Sequence, residues 1–116
     1  MTTRAFSASR VGQNFEAVAV SWAGLLNGDD GAPFEMPSGR QPSVHFAGTF
    51  GAGGAIVFEG SNDGTNYVTL NDTGGTTISK TSAALVAVRE VPRYVRPRVT
   101  AGDGTTTLVC TMTMGR

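Results

Sequence analysis

The chain has 116 residues, 40% of them hydrophobic and only 16% charged, and its 9 basic and 9 acidic residues cancel. That length fits one domain, and the hydrophobic fraction excludes global disorder. Zero net charge argues against nucleic acid as a partner and against an acidic tail for a basic one.

Cys110 is the only cysteine, so no internal disulfide framework exists. The apolar runs, such as residues 83–88, fall far short of the roughly 20 residues a membrane helix needs. The N-terminus carries a charge with no apolar stretch behind it, which argues against a secretory signal and for synthesis in a cytoplasm. Thr, Gly, Val and Ala dominate, while one Lys, four Glu and two Gln leave few helix formers. This composition favours pleated strands joined by glycine turns.

In chain order, residues 1–14 are polar and aperiodic, which predicts an N-terminal arm that contributes to intersubunit contacts. Residues 15–116 are expected to form one domain. Residues 14–23 alternate, with Phe15, Ala17 and Ala19 on one side and Val18, Val20 and Trp22 on the other. Residues 27–31 form a turn-rich break, 33–37 a short extended piece, and 38–42 a loop. Residues 43–50 alternate cleanly, placing Val44, Phe46 and Phe50 on one face and His45, Ala47 and Thr49 on the other. After a turn at 51–54, residues 55–59 point Ile56 and Phe58 inward and Glu59 outward. Residues 61–66 carry the densest turn signal, with Asp63-Gly64 at its centre, and 67–70 form the next strand.

Residues 76–80 predict a short polar strand, and 83–88 a strand or one helical turn. Residues 94–100 are extended, and Pro97 within them predicts an edge strand or a bulge. Residues 101–104 form a second Asp-Gly turn. Residues 105–114 give the clearest strand, with Leu108, Cys110, Met112 and Met114 on one face. Strands at this spacing predict an all-β fold, an antiparallel β-sandwich of jelly-roll-like type.

No constellation for catalysis emerges. His45 is the only histidine and has no nucleophile motif beside it, so it reads as structural or surface. Cys110 lies in an apolar register and reads as a buried, inert thiol. One His and one Cys cannot supply a zinc site, and the calcium-loop pattern is absent. Asn62, Asp63, Asn66 and Asp103 read as turn caps. Neither an enzyme, nor a cofactor, nor a metal site is predicted.

One charge pattern stands out. Arginine supplies eight of the nine basic residues, and Arg89, Arg93, Arg96 and Arg98 lie within ten positions. Tyr94 shares a strand face with Arg96 and Arg98. Arginine and tyrosine are enriched where proteins dock, so Arg89, Arg93, Tyr94, Arg96 and Arg98 form a candidate protein interface, with structural ion pairing the bland counterpart.

Two segments carry a resemblance. Residues 58–70, Phe-Glu-Gly-Ser-Asn-Asp-Gly-Thr-Asn-Tyr-Val-Thr-Leu, are similar to a hairpin of discoidin-like β-sandwiches, and 92–99, Pro-Arg-Tyr-Val-Arg-Pro-Arg-Val, to a later strand of those domains. The order of 60–66, 92–97, 102–106 and 107–114 also resembles small virion structural proteins of tailed bacteriophages. That likeness spans roughly residues 43–116. It implies a capsid decoration, or cement, protein at the virion surface. The implied partners are the major capsid protein and copies of itself, often as a trimer, with no nucleic acid and no membrane. The alternative it leaves open is a carbohydrate-binding or tail-associated module, for which Trp22, Tyr67 and Tyr94 are candidate stacking residues.

Overall fold

The chain's architecture comes from a computed structural model that describes residues 1–12, 17–37 and 41–114. Twelve strands account for it: β1 (Thr3–Arg4), β2 (Phe6–Val11), β3 (Ala17–Leu25), β4 (Asp30–Gly31), β5 (Phe34–Glu35), β6 (Pro42–Thr49), β7 (Ala55–Ser61), β8 (Val68–Thr69), β9 (Ser79–Lys80), β10 (Ala84–Ala87), β11 (Tyr94–Ala101) and β12 (Thr107–Met114). They make two sheets. The larger follows the order β1-β4-β11-β7-β8, with β5 on β11 and β9 on β7; the smaller follows β10-β6-β12-β3-β2. Pairing is antiparallel except between β1 and β4. The fold is an all-β sandwich, as the alternation predicts.

The inward faces meet in one core. Trp22, Phe46 and Phe58 are fully buried there with Leu25, Ile56 and Met112. Trp22 and Phe58 meet edge to face at 6.2 Å between ring centroids, a favoured aromatic geometry. The indole Nε1 donates to the Ala32 carbonyl at 2.9 Å, so the one polar atom of this ring is satisfied inside the core. Gly31 is required beside it, because a Cβ there would come 2.5 Å from Trp22 Cδ1 and 2.6 Å from Pro97 Cδ. The alternation of β12 is obeyed throughout: Leu108, Cys110, Met112 and Met114 are all buried. Of residues 83–88, Ala84–Ala87 form a strand, β10, paired in register with β6.

Two expectations are corrected. Residues 1–14 were expected to be an arm, but the described part, 1–12, is built into both sheets. β1 pairs with β4, and β2 runs along β3 from Phe6 opposite Trp22 to Val11 opposite Ala17. Phe6 is the anchor, packing edge to face on Trp22 at 6.0 Å and on Phe34 at 5.3 Å. An edge strand needs few apolar residues, which is why its sequence shows no periodicity. Buried Asp29 clasps the same segment, accepting from Thr2 N at 3.0 Å, Arg4 Nε at 2.8 Å and Leu26 N at 2.9 Å. The sandwich therefore includes residues 3–11, not 15–116 alone.

Pro97 was expected at an edge or a bulge, yet it is buried in the middle of β11, opposite Phe58 of β7. The Val99 N–H donates away from β7, to Asp29 O at 2.8 Å, and Pro97 has the same parity, so its ring nitrogen faces that side too. There β5 pairs with residues 94–95 and β4 with 98, and neither pairs with Pro97. The missing N–H falls in the gap between two short neighbours, where no ladder bond is lost. The start of the predicted 14–23 strand, including Phe15, and part of the 38–42 loop lie outside the described residues.

Candidate functional site

The candidate interface residues sit on the outward face of the larger sheet. Alternation along β11 sends Val95, Pro97 and Val99 into the core and Tyr94, Arg96 and Arg98 outward. Across the ladder these meet Ser61, Glu59 and Val57 of β7. Glu59 is thus outward-facing, as predicted, but buried beneath two arginines. Its Oε1 accepts from Arg96 Nε at 2.7 Å and its Oε2 from Arg98 Nε at 3.2 Å. Arg96 Nη1 also lies 3.5 Å from Asp30 Oδ2, while Asp30 Oδ1 accepts from Thr3 Oγ1 at 2.7 Å. Two guanidiniums and two carboxylates therefore form one neutral network. Glu59 and Asp30 side chains are 4% and 7% exposed and Arg96 is 22% exposed, so the pairs are largely withdrawn from solvent screening, whereas Arg98, at 41%, is not.

The aromatic residues lock onto this network. The Arg96 guanidinium carbon stands 3.8 Å from the centroid of the Tyr67 ring, a close cation–π contact. The Tyr67 hydroxyl is buried without a partner among the described residues, and burial pushes its pKa up. Arg93 is different. It pairs with Glu35 at 3.0 Å where both are about 60% exposed, and its guanidinium lies 5.1 Å from the Tyr94 centroid. Arg89 is not on this face; its backbone N–H donates to Asn71 O, beside the 71–77 turn. The structure thus brings Arg93, Tyr94, Arg96 and Arg98 together and leaves Arg89 apart.

The two motif segments also meet. Residues 60–61 pair with 94–95, and the Arg93 N–H donates to Asn62 Oδ1 at 2.9 Å. The hairpin loop is closed by Asp63, which accepts from the N–H groups of Thr65 and Asn66 at 2.8 Å each. Gly64 in this loop approaches the Tyr94 ring.

This arrangement binds charge to charge rather than leaving it free. A neutral, mutually paired plate offers little potential to a phosphate backbone. His45 lies on the outward face of the other sheet, so it cannot work with any residue of this cluster. Cys110 is fully buried, and desolvation pushes its thiol far above the ordinary range. Among the described residues no group of three His, Cys, Asp or Glu side chains could hold a metal ion. Of the stacking candidates, Trp22 is core and Tyr67 is covered by Arg96 on one face. Glu59, Asp30 and Glu35, which organise the arginines, were not singled out as site residues, because only strand register places them opposite.

Several carboxylates are held below their ordinary pKa. For Asp29 burial pushes upward, but hydrogen bonds from Arg4, Leu26 and Thr2 together outweigh it. The Asn71 N–H lowers Glu90, the Asn66 and Thr65 N–H groups lower Asp63, and the Thr105 hydroxyl with the Ala52 N–H takes Asp103 to about 2. Folded values below unfolded ones mean stability that is full above the unfolded range and lost as pH falls through the folded values. Thermal melts should therefore show a midpoint that is level down to about pH 5 and falls below about pH 4. A midpoint that rises in that acid range would contradict these assignments.

Comparison of the chain with protein-family models, with curated proteins and with solved structures found no significant match.

Proposed function

We propose that the chain is a bacteriophage virion structural protein of the capsid decoration type, binding a shell of major capsid protein alongside copies of itself. The observation that carries this reading is the order of motifs at 60–66, 92–97, 102–106 and 107–114. The packing of the first two motifs against each other agrees with a scaffold role for both. A decoration protein needs a stable domain and a surface that docks, and it stabilises the shell because its contacts exist only in the assembled particle. Symmetric repetition multiplies a modest contact into high avidity. On this reading the exposed Arg93–Glu35 pair and Tyr94 meet the shell, while Arg96 and Arg98 hold the plate rigid behind them.

The test is cosedimentation of purified protein with shells that lack it. Wild type should bind saturably, and Arg93→Glu should reduce occupancy about tenfold through like-charge contact with Glu35 and loss of its docking group. The same substitution should barely move the melting temperature, since exposed pairs contribute little. Wild type that fails to bind shells, or an R93E variant that binds equally well, overturns the assignment.

A further inference from the structure

The outward face of the smaller sheet differs from the rest of the surface. On its central strand, β12, the outward side chains include Val109, Thr111 and Thr113. Beside them lie His45 and Ala47 of β6. On the other flank lie Ala19 and Ser21 of β3, then Ser7 and Ser9 of β2. Leu85 of β10, opposite His45, is 69% exposed. No Lys, Arg, Asp or Glu faces outward from any of these five strands among the described residues. Arg10, the nearest, is opposite Val18 and lies on the other side of β2. The larger sheet, by contrast, holds Arg96, Arg98, Glu59 and Asp30. A quarter to a third of a solvated surface is ordinarily charged, so a whole sheet face without charge marks a surface that is covered.

We infer that this face is covered by the same face of a second copy, the two sheets stacking about a twofold axis. Three features select a copy of this chain as the occupant. First, a face of one charge sign would repel its own image, and this one carries no Lys, Arg, Asp or Glu among the described residues. Second, Ser and Thr hydroxyls both donate and accept, so each can pair with a hydroxyl of an identical surface, which carboxylates and guanidiniums cannot do. Third, the size is adequate. Five strands about 4.8 Å apart and some seven residues long at about 3.4 Å each present roughly 550 Å² per copy. Two copies then bury about 1,100 Å², above the roughly 1,000 Å² that a biological interface should clear and in the size class of weak, reversible association. Short side chains let two such sheets approach to the usual spacing of about 10 Å. This deepens the decoration reading by giving its self-association a surface, but it is tested without shells and can fail separately from it.

Sedimentation velocity of the purified chain across a concentration series is the test. Wild type should show a monomer–dimer equilibrium with a Kd on the order of micromolar or weaker, in keeping with a small, reversible interface without large anchoring side chains. Thr111, at the middle of the central strand, lies near the twofold axis. Thr111→Glu and Thr111→Lys should each raise the Kd at least about 30-fold, and an equimolar mixture of the two should restore a heterodimer. Thr100→Glu, on the larger sheet, should leave dimerisation unchanged. A Thr111→Cys variant provides a second readout independent of these charges: a short bismaleimide that spans about 10 Å should link it into a dimer, while Thr100→Cys should stay unlinked. Cys110 does not interfere because it is buried.

Wild type that stays monomeric to about 100 µM overturns the inference, as does association that Thr111→Glu and Thr111→Lys leave intact. Equal cross-linking from positions 111 and 100 overturns it too. If wild type is monomeric alone yet T111E loses shell binding, the shell, not a second copy, covers this face.

Discussion

Trp22→Ala should lower unfolding stability by about 4 kcal/mol, the middle of the range for truncating a buried aromatic residue. The indole is fully buried and touches both sheets. On its own sheet it meets Phe6, and across the core it meets Phe58, so its removal opens a cavity that neither sheet can close alone. The Ala32 carbonyl would also lose its donor. Nor can Gly31 fill the space, since it has no side chain. A domain of this size has a total stability of about 5–15 kcal/mol, so the loss takes from about a quarter to most of it. Urea unfolding by fluorescence of an added probe or by circular dichroism reads the change. Trp22→Phe, which keeps an aromatic ring and loses the hydrogen bond, should fall between the two. A loss below about 1 kcal/mol for the alanine variant would mean that Trp22 does not join the sheets as described.

Glu59→Ala should cost about 3 kcal/mol, the low end for breaking a buried ion pair, because both arginine partners keep some contact with water. Among the described residues its carboxylate is the only group bridging Arg96 and Arg98. Without it two guanidiniums lie side by side with no shared acceptor, and Asp30 reaches Arg96 alone. Glu59→Gln keeps the volume and one acceptor, so it should lose about half as much. The loss should persist at high salt, because a pair with one buried carboxylate is poorly screened. Thermal melts at low and high ionic strength measure this. A variant as stable as wild type would show that the network does not hold the plate.

The parts of this structure that were legible in the sequence are those written in local alternation. The β12 pattern of Leu108, Cys110, Met112 and Met114 reads directly as a buried face, and the Asp63-Gly64 turn reads directly as a hairpin. Tyr94, Arg96 and Arg98 were placed on one face by period two alone. What escaped was set by pairing between distant segments. Phe6 looks like an isolated aromatic residue in a polar stretch until β2 lies beside Trp22. Pro97 looks like an edge marker because the change of neighbour from β5 to β4 is invisible in one chain segment. Glu59 was recognised as outward-facing, but its burial comes from arginines some 37 and 39 positions away, whose register only the folded ladder fixes. The charge-free face of the smaller sheet has the same origin, since its residues are drawn from five separate strands.

The two faces of the sandwich then have different tasks under this account. The larger sheet spends its charge on its own rigidity and presents Arg93 and Tyr94 at the rim. The outward face of the smaller sheet carries no Lys, Arg, Asp or Glu among the described residues and, under the inference above, suits contact with its own kind. The measurement that tests the central claim most directly is an electron-microscopy map of the particle. The decoration reading predicts density for this sandwich on the outer surface of the capsid shell, in symmetric repeats. A complete map with no such density on the shell, or with the sandwich only in the tail, would contradict it.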